Sequence, residues 1–385
     1  MTAHREKHDD AIVVHVIPSP RGRGAQRAAR LLVDSLNRLE QSGEEPEPFR
    51  HCLLGLFDDT PEVPLDMAIE GSAGRRTAKG FDPRLALTLR KVLRELDPIA
   101  VVAHGGDAAK YAVPALFGTG CPLVYCVIGT YAGRASTLQQ SMWRRIMARA
   151  ALVVAVGQEV LDECTGRFGV DPRRATMIPN GRDAALFHPA AGTPGTAGEW
   201  PAGTLAFVGA LTPGKQPDRY VEVVRRLRAD GRNVKAFLAG DGPLASMLRP
   251  LADTSGVELL GPRSDVPELL RGADVFVFTS RPTGEGMPGV LIEAGLSGLP
   301  AVSTPVPGAS AVLDDGHTGL IVPDSVPAIA AAVGQLLDAP GRRADMGRAA
   351  RARCESEFSL DRMAQRWRTA LRPLVDSRLP TARRG

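Results

Sequence analysis

Short runs of β-branched residues alternate with longer amphipathic stretches along this chain, and the alternation occurs twice. The runs IVVHVI (12–17), AVVA (100–103), PLVYCVI (122–128) and ALVVAV (151–156) have the near-continuous apolar character of strands buried on both faces. Between them Ala25, Ala28, Ala29, Leu32, Leu36 and Leu39 recur at helical spacing, as do Leu85, Leu89, Val92, Leu93 and Leu96 before the stop at Asp97-Pro98. Strand, helix, strand, helix predicts a parallel sheet covered on both faces, a doubly wound α/β domain. A Gly, Pro, Ala and Thr-rich stretch, 190–203, reads as a linker. Strands LAFVG (205–209), VKAFLAG (234–240), VELLG (257–261), DVFVFTS (274–280), PAVST (300–304) and GLIV (319–322) follow, separated by helical patterns. The expectation is an α/β protein of two Rossmann-like domains in tandem, 1–189 and 204–357, with a final helical segment and tail over 358–385 that carries Trp367. Ligands of such domains bind at the carboxyl ends of the strands, here in the cleft expected between the two sheets.

Composition removes other classes. The chain has 385 residues, 44% hydrophobic and 23% charged, which excludes a disordered, collagen-like or coiled-coil protein. Five cysteines without a C-x-x-C pair argue against a disulfide scaffold or zinc ribbon. A net charge of +4 is too mild for a phosphate-backbone binder, so no nucleic acid partner is expected. The N-terminus is polar, and the longest apolar runs, 11–17 and 150–156, fall far short of the ~20 residues that span a bilayer. A cytoplasmic, soluble protein is expected. Only six of the 47 basic residues are Lys, so each lysine is informative.

Glu285 and Glu293 lie in RPTGEGMPGVLIEAGLSGLPAVST, the first in a Gly/Pro-rich loop after a buried strand, the second one turn into the following helix. A loop of this kind leads an anion to free N–H groups at a helix N-terminus. Carboxylates flanking that site are poor phosphate ligands but good acceptors for sugar hydroxyls. The combination suits a nucleotide-sugar, with its diphosphate on the backbone. A second carboxylate inside the otherwise apolar VLIEAGL argues against a mere helix-surface Glu. His104 ends the buried run AVVAH at the carboxyl edge of its sheet. SPRGRGAQRAARLL (19–32) is a Gly-rich loop opening a helix, where Gly24 would let backbone approach phosphate and Arg21 or Arg23 would either cover the site or face solvent. The basic stretch 133–152, with Trp143, is either a sheet-covering helix or a surface for anionic lipid. No Asp-x-Asp pair occurs, which fits a metal-independent site.

The stretch around Glu285 and Glu293 resembles the Glu-x7-Glu signature of glycosyltransferase family 4, a retaining family with the GT-B fold. IPNGRDAALFHP (178–189), FVGALTPGKQPD (207–218), LAGDGP (238–243) and GPRSDVPELLRGADVFVFTS (261–280) are similar to further family segments, in order and at proper spacing. The resemblance spans about residues 11 to 370. It implies that Glu285 contacts the transferred sugar and Glu293 the nucleoside ribose. Gly286, Met287, Gly289 and Val290 would approach sugar and phosphates through their backbone. Gly209 and Asp241 would sit in the donor's strand-end loops, and Gly24 in the loop near the diphosphate. Lys215 matches the family's phosphate-binding lysine, and His104 its active-site histidine near the transferred sugar. It further implies a UDP- or GDP-sugar donor, a hydroxyl acceptor, no separate cofactor and a last helix returning to the first domain.

Two positions depart from the pattern. Ala210 stands where the family places an arginine that partners the lysine at the leaving group, and Arg281 or Arg263 would have to replace that charge. Ile128 stands where many relatives have a histidine, so the acceptor side does not transfer simply. Alternatives to a retaining glycosyltransferase are a nucleotide-sugar epimerase or hydrolase of the same fold, and a non-catalytic partner subunit. A dehydrogenase would need a complete G-x-G-x-x-G fingerprint after the first strand, which is missing. Peripheral membrane contact remains open, as do the sugar, the base, the acceptor and the oligomeric state.

Overall fold

The structure is a computed structural model that describes residues 11–20, 24–41, 49–57, 62–69, 81–131, 136–190, 203–281, 287–306 and 308–379. The chain divides into two compact units, one of Met1–Gly181 with Leu360–Gly385, the other of Arg182–Ser359.

The first unit holds seven strands: β1 (Ala11–Ile17), β2 (Phe49–Gly55), β3 (Met67–Ala68), β4 (Ala100–His104), β5 (Leu123–Val127), β6 (Leu152–Ala155) and β7 (Ala175–Met177). They pair in the order β3-β2-β1-β4-β5-β6-β7, and every pairing is parallel. Val13, Val14, Val16 and Ile17 of β1 and Val101, Val102 and Ala103 of β4 are completely buried, as expected for parallel strands covered on both faces. Full burial of each such side chain stabilises by about 1.5–3 kcal/mol relative to exposure. The helix Pro83–Leu96 starts on Asp82, whose side chain accepts from the Arg84 amide, and ends at Asp97 in the left-handed region (φ 44°). The last helix, Leu360–Asp376, packs on Gly24–Gln41 of this first unit and buries Trp367 there.

The second unit holds six strands: β8 (Thr204–Val208), β9 (Lys235–Ala239), β10 (Glu258–Gly261), β11 (Val275–Phe278), β12 (Ala301–Ser303) and β13 (Gly319–Ile321). Their order, β10-β9-β8-β11-β12-β13, repeats the first sheet's topology, again all parallel. In both sheets the order reverses beside the first strand, between β1 and β4 and between β8 and β11. Ligands of open α/β sheets bind at such switch points, at the carboxyl ends of the strands. Tyr220 ties the helix Pro217–Ala229 to β8, its buried hydroxyl donating to the Leu205 carbonyl at 2.8 Å.

Three strands, β2, β3 and β7, escape the sequence reading. β2 (FRHCLLG) is interior, but Arg50, His51 and Cys52 break the β-branched pattern that marks its neighbours. The helices Gly105–Ala115 and Pro340–Phe358 were likewise not anticipated. The chain changes unit at Gly181–Arg182, eight residues before the first-domain end expected at 189. Arg182 donates its amide to the Phe358 carbonyl at 2.8 Å, and Arg351 binds the carbonyls of Ala184 and Phe187. These bonds fasten 182–189 to the second unit, so 190–203 lies within that unit's span; most of it, 191–202, is outside the described residues.

All five cysteines are free thiols, and burial pushes those of Cys52, Cys126, Cys164 and Cys354 up to about 12. Among the described residues no helix is long and apolar enough to cross a membrane.

Candidate functional site

The second unit's switch point is built from the loop after β8 and the end of β11. Gly209 donates its amide to the Ala239 carbonyl at 3.0 Å, and Leu211 donates to Asp241 at 2.9 Å, which docks the Gly209–Leu211 strand end on the loop after β9. The approach depends on glycine: a Cβ on Gly240 would run into the Gly209 carbonyl oxygen, and one on Gly242 would lie 2.5 Å from that of Leu211. Asp241 is exposed, and its carboxylate accepts from the Gly242 amide at 2.7 Å, so it shapes this loop.

Lys215 follows on a tight turn, its amide donating to Thr212. The buried Thr279, at the end of β11, donates its hydroxyl towards the carbonyls of Lys215 and Gln216 at 3.0 and 2.9 Å. Gln216 takes the left-handed conformation (φ 47°) that starts the helix at Pro217. The Lys215 ammonium lies 5.3 Å from the centroid of Phe278, a cation–π distance. Arg281 donates its backbone amide to Gly214 at 2.8 Å, which ties the residue to the lysine loop while its side chain is exposed. Of the two arginines expected to replace the charge missing at Ala210, Arg281 is therefore placed beside Lys215. Arg263 is engaged with Asp265, its Nε donating at 2.7 Å. Ala210 itself is exposed.

The helix Gly289–Leu296 begins after Met287 and Pro288, both buried, with no side-chain cap on its first turn. Leu291 donates to the Pro288 carbonyl, while Gly289 and Val290 head the helix at its positive end. Glu293, one turn in, accepts from Arg182 Nε at 2.6 Å, with both side chains mostly buried. The Arg182 guanidinium also lies against Gly289, where any Cβ would collide with it. Sequence reasoning missed this arginine because it was assigned to the other domain. Its signal in the sequence is slight, a charged residue next to Asp183 directly after Asn180-Gly181. Glu285 and Gly286 lie outside the described residues, as do Arg21 and Arg23.

In the first unit His104 closes β4 and stands at the N-cap of Gly105–Ala115 without a side-chain cap bond. It is 5% exposed. Its Nε2 lies 3.0 Å from His15 Nδ1, and His15 Nε2 lies 3.0 Å from His51 Nδ1. Burial pushes His104 down to about 4 and His51 to about 3; His15 is held well below the usual range by burial and then by the neighbouring imidazoles and Arg30. All three are neutral at neutral pH. Ile128, 39% exposed, lies against Gly105. Gly24 starts its helix exposed, with open space around its α-carbon, as a residue admitting a ligand to backbone must. Trp143 faces inward: its ring packs against Gly106 and lies 4.8 Å from Tyr131, and Ile146 and Met147 of the same helix are buried. That packing sets the helix Thr137–Arg149 against the helix Gly105–Ala115. Among the described residues no group of three His, Cys, Asp or Glu side chains is arranged to hold a metal ion.

Two duplicated parallel sheets, each with loops and a helix N-terminus at its switch point, define the GT-B class of nucleotide-binding α/β proteins. The Anabaena protein HepE, solved in complex with UDP and glucose, superposes with a TM-score of 0.75 over 94% of this chain and all of that one, at 18% identity. The family described as Glycosyl transferases group 1 matches residues 202–339, and Glycosyltransferase Family 4 matches 58–186. A D-inositol 3-phosphate glycosyltransferase of Kineococcus radiotolerans is 33% identical over 238 residues, covering 54% of each chain. A glycogen synthase of Mycobacterium tuberculosis is 30% identical over 299 residues, 73% of this chain and 70% of that one. The match to the first of these relatives spans only about half of its length. The chain belongs to the family 4-type GT-B glycosyltransferases.

Proposed function

We propose that this chain transfers a sugar, with retention at the anomeric carbon and without a metal ion, from a UDP- or GDP-sugar to a hydroxyl acceptor. Acceptors of the expected class are polysaccharide, glycolipid or secondary-metabolite precursors. The observation that carries the reading is the convergence of Lys215, the Arg281 backbone and the first turn of Gly289–Leu296 on the carboxyl edge of one parallel sheet. In this reading Lys215 and the amides of Gly289 and Val290 neutralise the departing diphosphate. Glu293, with Oε1 held by Arg182, accepts from the ribose through Oε2. Glu285 engages hydroxyls of the transferred sugar, and His104 has the role of the family histidine it matches, a hydrogen bond to that sugar. The acceptor oxygen bonds to the anomeric carbon as its bond to the diphosphate breaks, and the acceptor proton passes to the leaving phosphate oxygen. No protein nucleophile is required.

Support from relatives is of the same kind. HepE was crystallised with UDP-glucose, and a Corynebacterium glutamicum relative, 29% identical over 239 residues, is named as a GDP-mannose-dependent mannosyltransferase. A thermal-shift screen against UDP-, GDP-, ADP- and dTDP-sugars identifies the donor, since a ligand at 100 times its Kd adds about 2.7 kcal/mol of stability. With that donor, Glu285→Ala is expected to abolish transfer yet still bind the nucleoside diphosphate; unchanged transfer kinetics would remove Glu285 from the site. Turnover is expected to survive EDTA. Complete loss with chelator, restored by magnesium or manganese, would overturn the metal-free reading. Donor binding without turnover under every acceptor condition would favour a non-catalytic subunit, for which Ala210 is the motivating residue.

A further inference from the structure

β1 lies between β2 and β4, and the registers place His15 opposite Leu53 on one side and opposite Val102 on the other. His51 stands two residues before Leu53, and His104 two residues after Val102. Side chains two apart on a strand share a face, so the three imidazoles form a diagonal on one face of the sheet that climbs to its carboxyl edge. Trp367 packs over it, with ring centroids 6.5 Å from His15 and 6.2 Å from His104. Asn37 fixes the His51 backbone by accepting from its amide at 2.8 Å and donating to its carbonyl at 2.9 Å. His15 spends both ring nitrogens on its two neighbours. None of this is needed to fill a core, which an aliphatic residue at each position would do.

We infer that His15 and His51 are positioning residues that hold His104 as its Nδ1–H tautomer, so that His104 meets a ligand oxygen as a neutral hydrogen-bond donor and not as a base. Desolvation keeps all three rings neutral, so each carries one N–H and one bare nitrogen. The direction of the chain then follows from its far end. His51 Nε2 is buried and has no partner. Glu40, Arg368, Arg372 and Asp376 line the small cavity beside His51, and none of them bonds this nitrogen. Orphaned buried N–H groups are the rarer and costlier defect, so the proton sits on His51 Nδ1. Nδ1–H donates to His15 Nε2, His15 Nδ1–H donates to His104 Nε2, and the His104 proton is left on Nδ1. Among the described residues no protein group bonds that nitrogen. The consequence for transfer rests on His104 meeting the donor sugar, as proposed above.

The test is a long-range ¹H–¹⁵N correlation spectrum of histidine-labelled protein, which reads which ring nitrogen carries each proton. The wild-type chain is expected to show His104 protonated at Nδ1 with Nε2 bare. His15→Leu should move His104 to a mixture of tautomers and lower kcat by about tenfold, the worth of one neutral hydrogen bond, with KM for the donor little changed. His15→Asn, whose amide can donate to His104 Nε2, should restore the tautomer and part of the rate. A wild-type His104 protonated at Nε2, or a His104 tautomer indifferent to His15→Leu, would overturn the inference. If His15→Leu fails to fold, the wild-type spectrum decides alone. An Nδ1–H His104 whose replacement by Ala leaves transfer untouched would instead remove His104 from the proposed mechanism while the tautomer assignment stands.

Discussion

Lys215→Ala is expected to slow transfer by a factor on the order of 10²–10³, the range found when one preorganised electrostatic donor is removed from a developing anion. The lysine is half-buried, its loop clamped by the Thr279 hydroxyl and its ammonium against Phe278, so little reorganisation stands between it and a diphosphate. Lys215→Arg should recover only part of the rate, because a planar guanidinium does not reproduce a compact ammonium. Ala210 makes the next measurement decisive. Arg281 is joined to the same loop through Gly214, and if it carries the second charge then Arg281→Ala should also cost on the order of 10²-fold. Ala210→Arg should then help little, since two guanidinium groups would compete for one diphosphate. A mild Arg281→Ala effect together with a faster Ala210→Arg enzyme would show that no relocation has taken place.

Acid should unfold the first unit well before its carboxylates matter. His15, His51 and His104 are held neutral by burial, with His51 near 3 and His104 near 4, whereas in the unfolded chain each titrates near 6.5. Between those limits the unfolded state binds more protons than the folded one, so stability falls as pH falls. Three such groups together cost on the order of 5 kcal/mol between pH 7 and pH 5. Urea titrations of a Trp200→Phe chain followed by tryptophan fluorescence report this unit, since the other two tryptophans, Trp143 and Trp367, belong to it and Trp200 to the second. The exposed carboxylates of Asp171, Asp265 and Asp338 are lowered by their arginine partners. Their contribution is present above the usual carboxylate range and is lost only below it, outside this window. A urea midpoint that stays constant from pH 7 to pH 5 would mean that the histidines ionise freely in the folded protein.

Apolar patterning is enough to specify the two α/β domains, because a parallel strand buried on both faces must be apolar along its whole length and an amphipathic helix must repeat every three to four residues. That logic finds β1, β4, β5, β6 and all six strands of the second sheet to within about two residues. It passes over β2, whose Arg50, His51 and Cys52 are polar or unbranched although His51 and Cys52 are buried. The positions of Glu293 and His104 are also legible, since strand ends and helix starts are where this topology collects ligands, and that of Lys215 because lysine is scarce in the chain and the residue matches a family motif. Tertiary structure alone decided what those residues touch. Arg182 and Glu293 are 111 positions apart, and His15 and His104 are 89 apart. Hydrophobic periodicity is a local property and cannot pair side chains so far apart. Register between non-consecutive strands and the return of Arg182 to the second unit set those pairs, and burial of the resulting groups then fixed their charge.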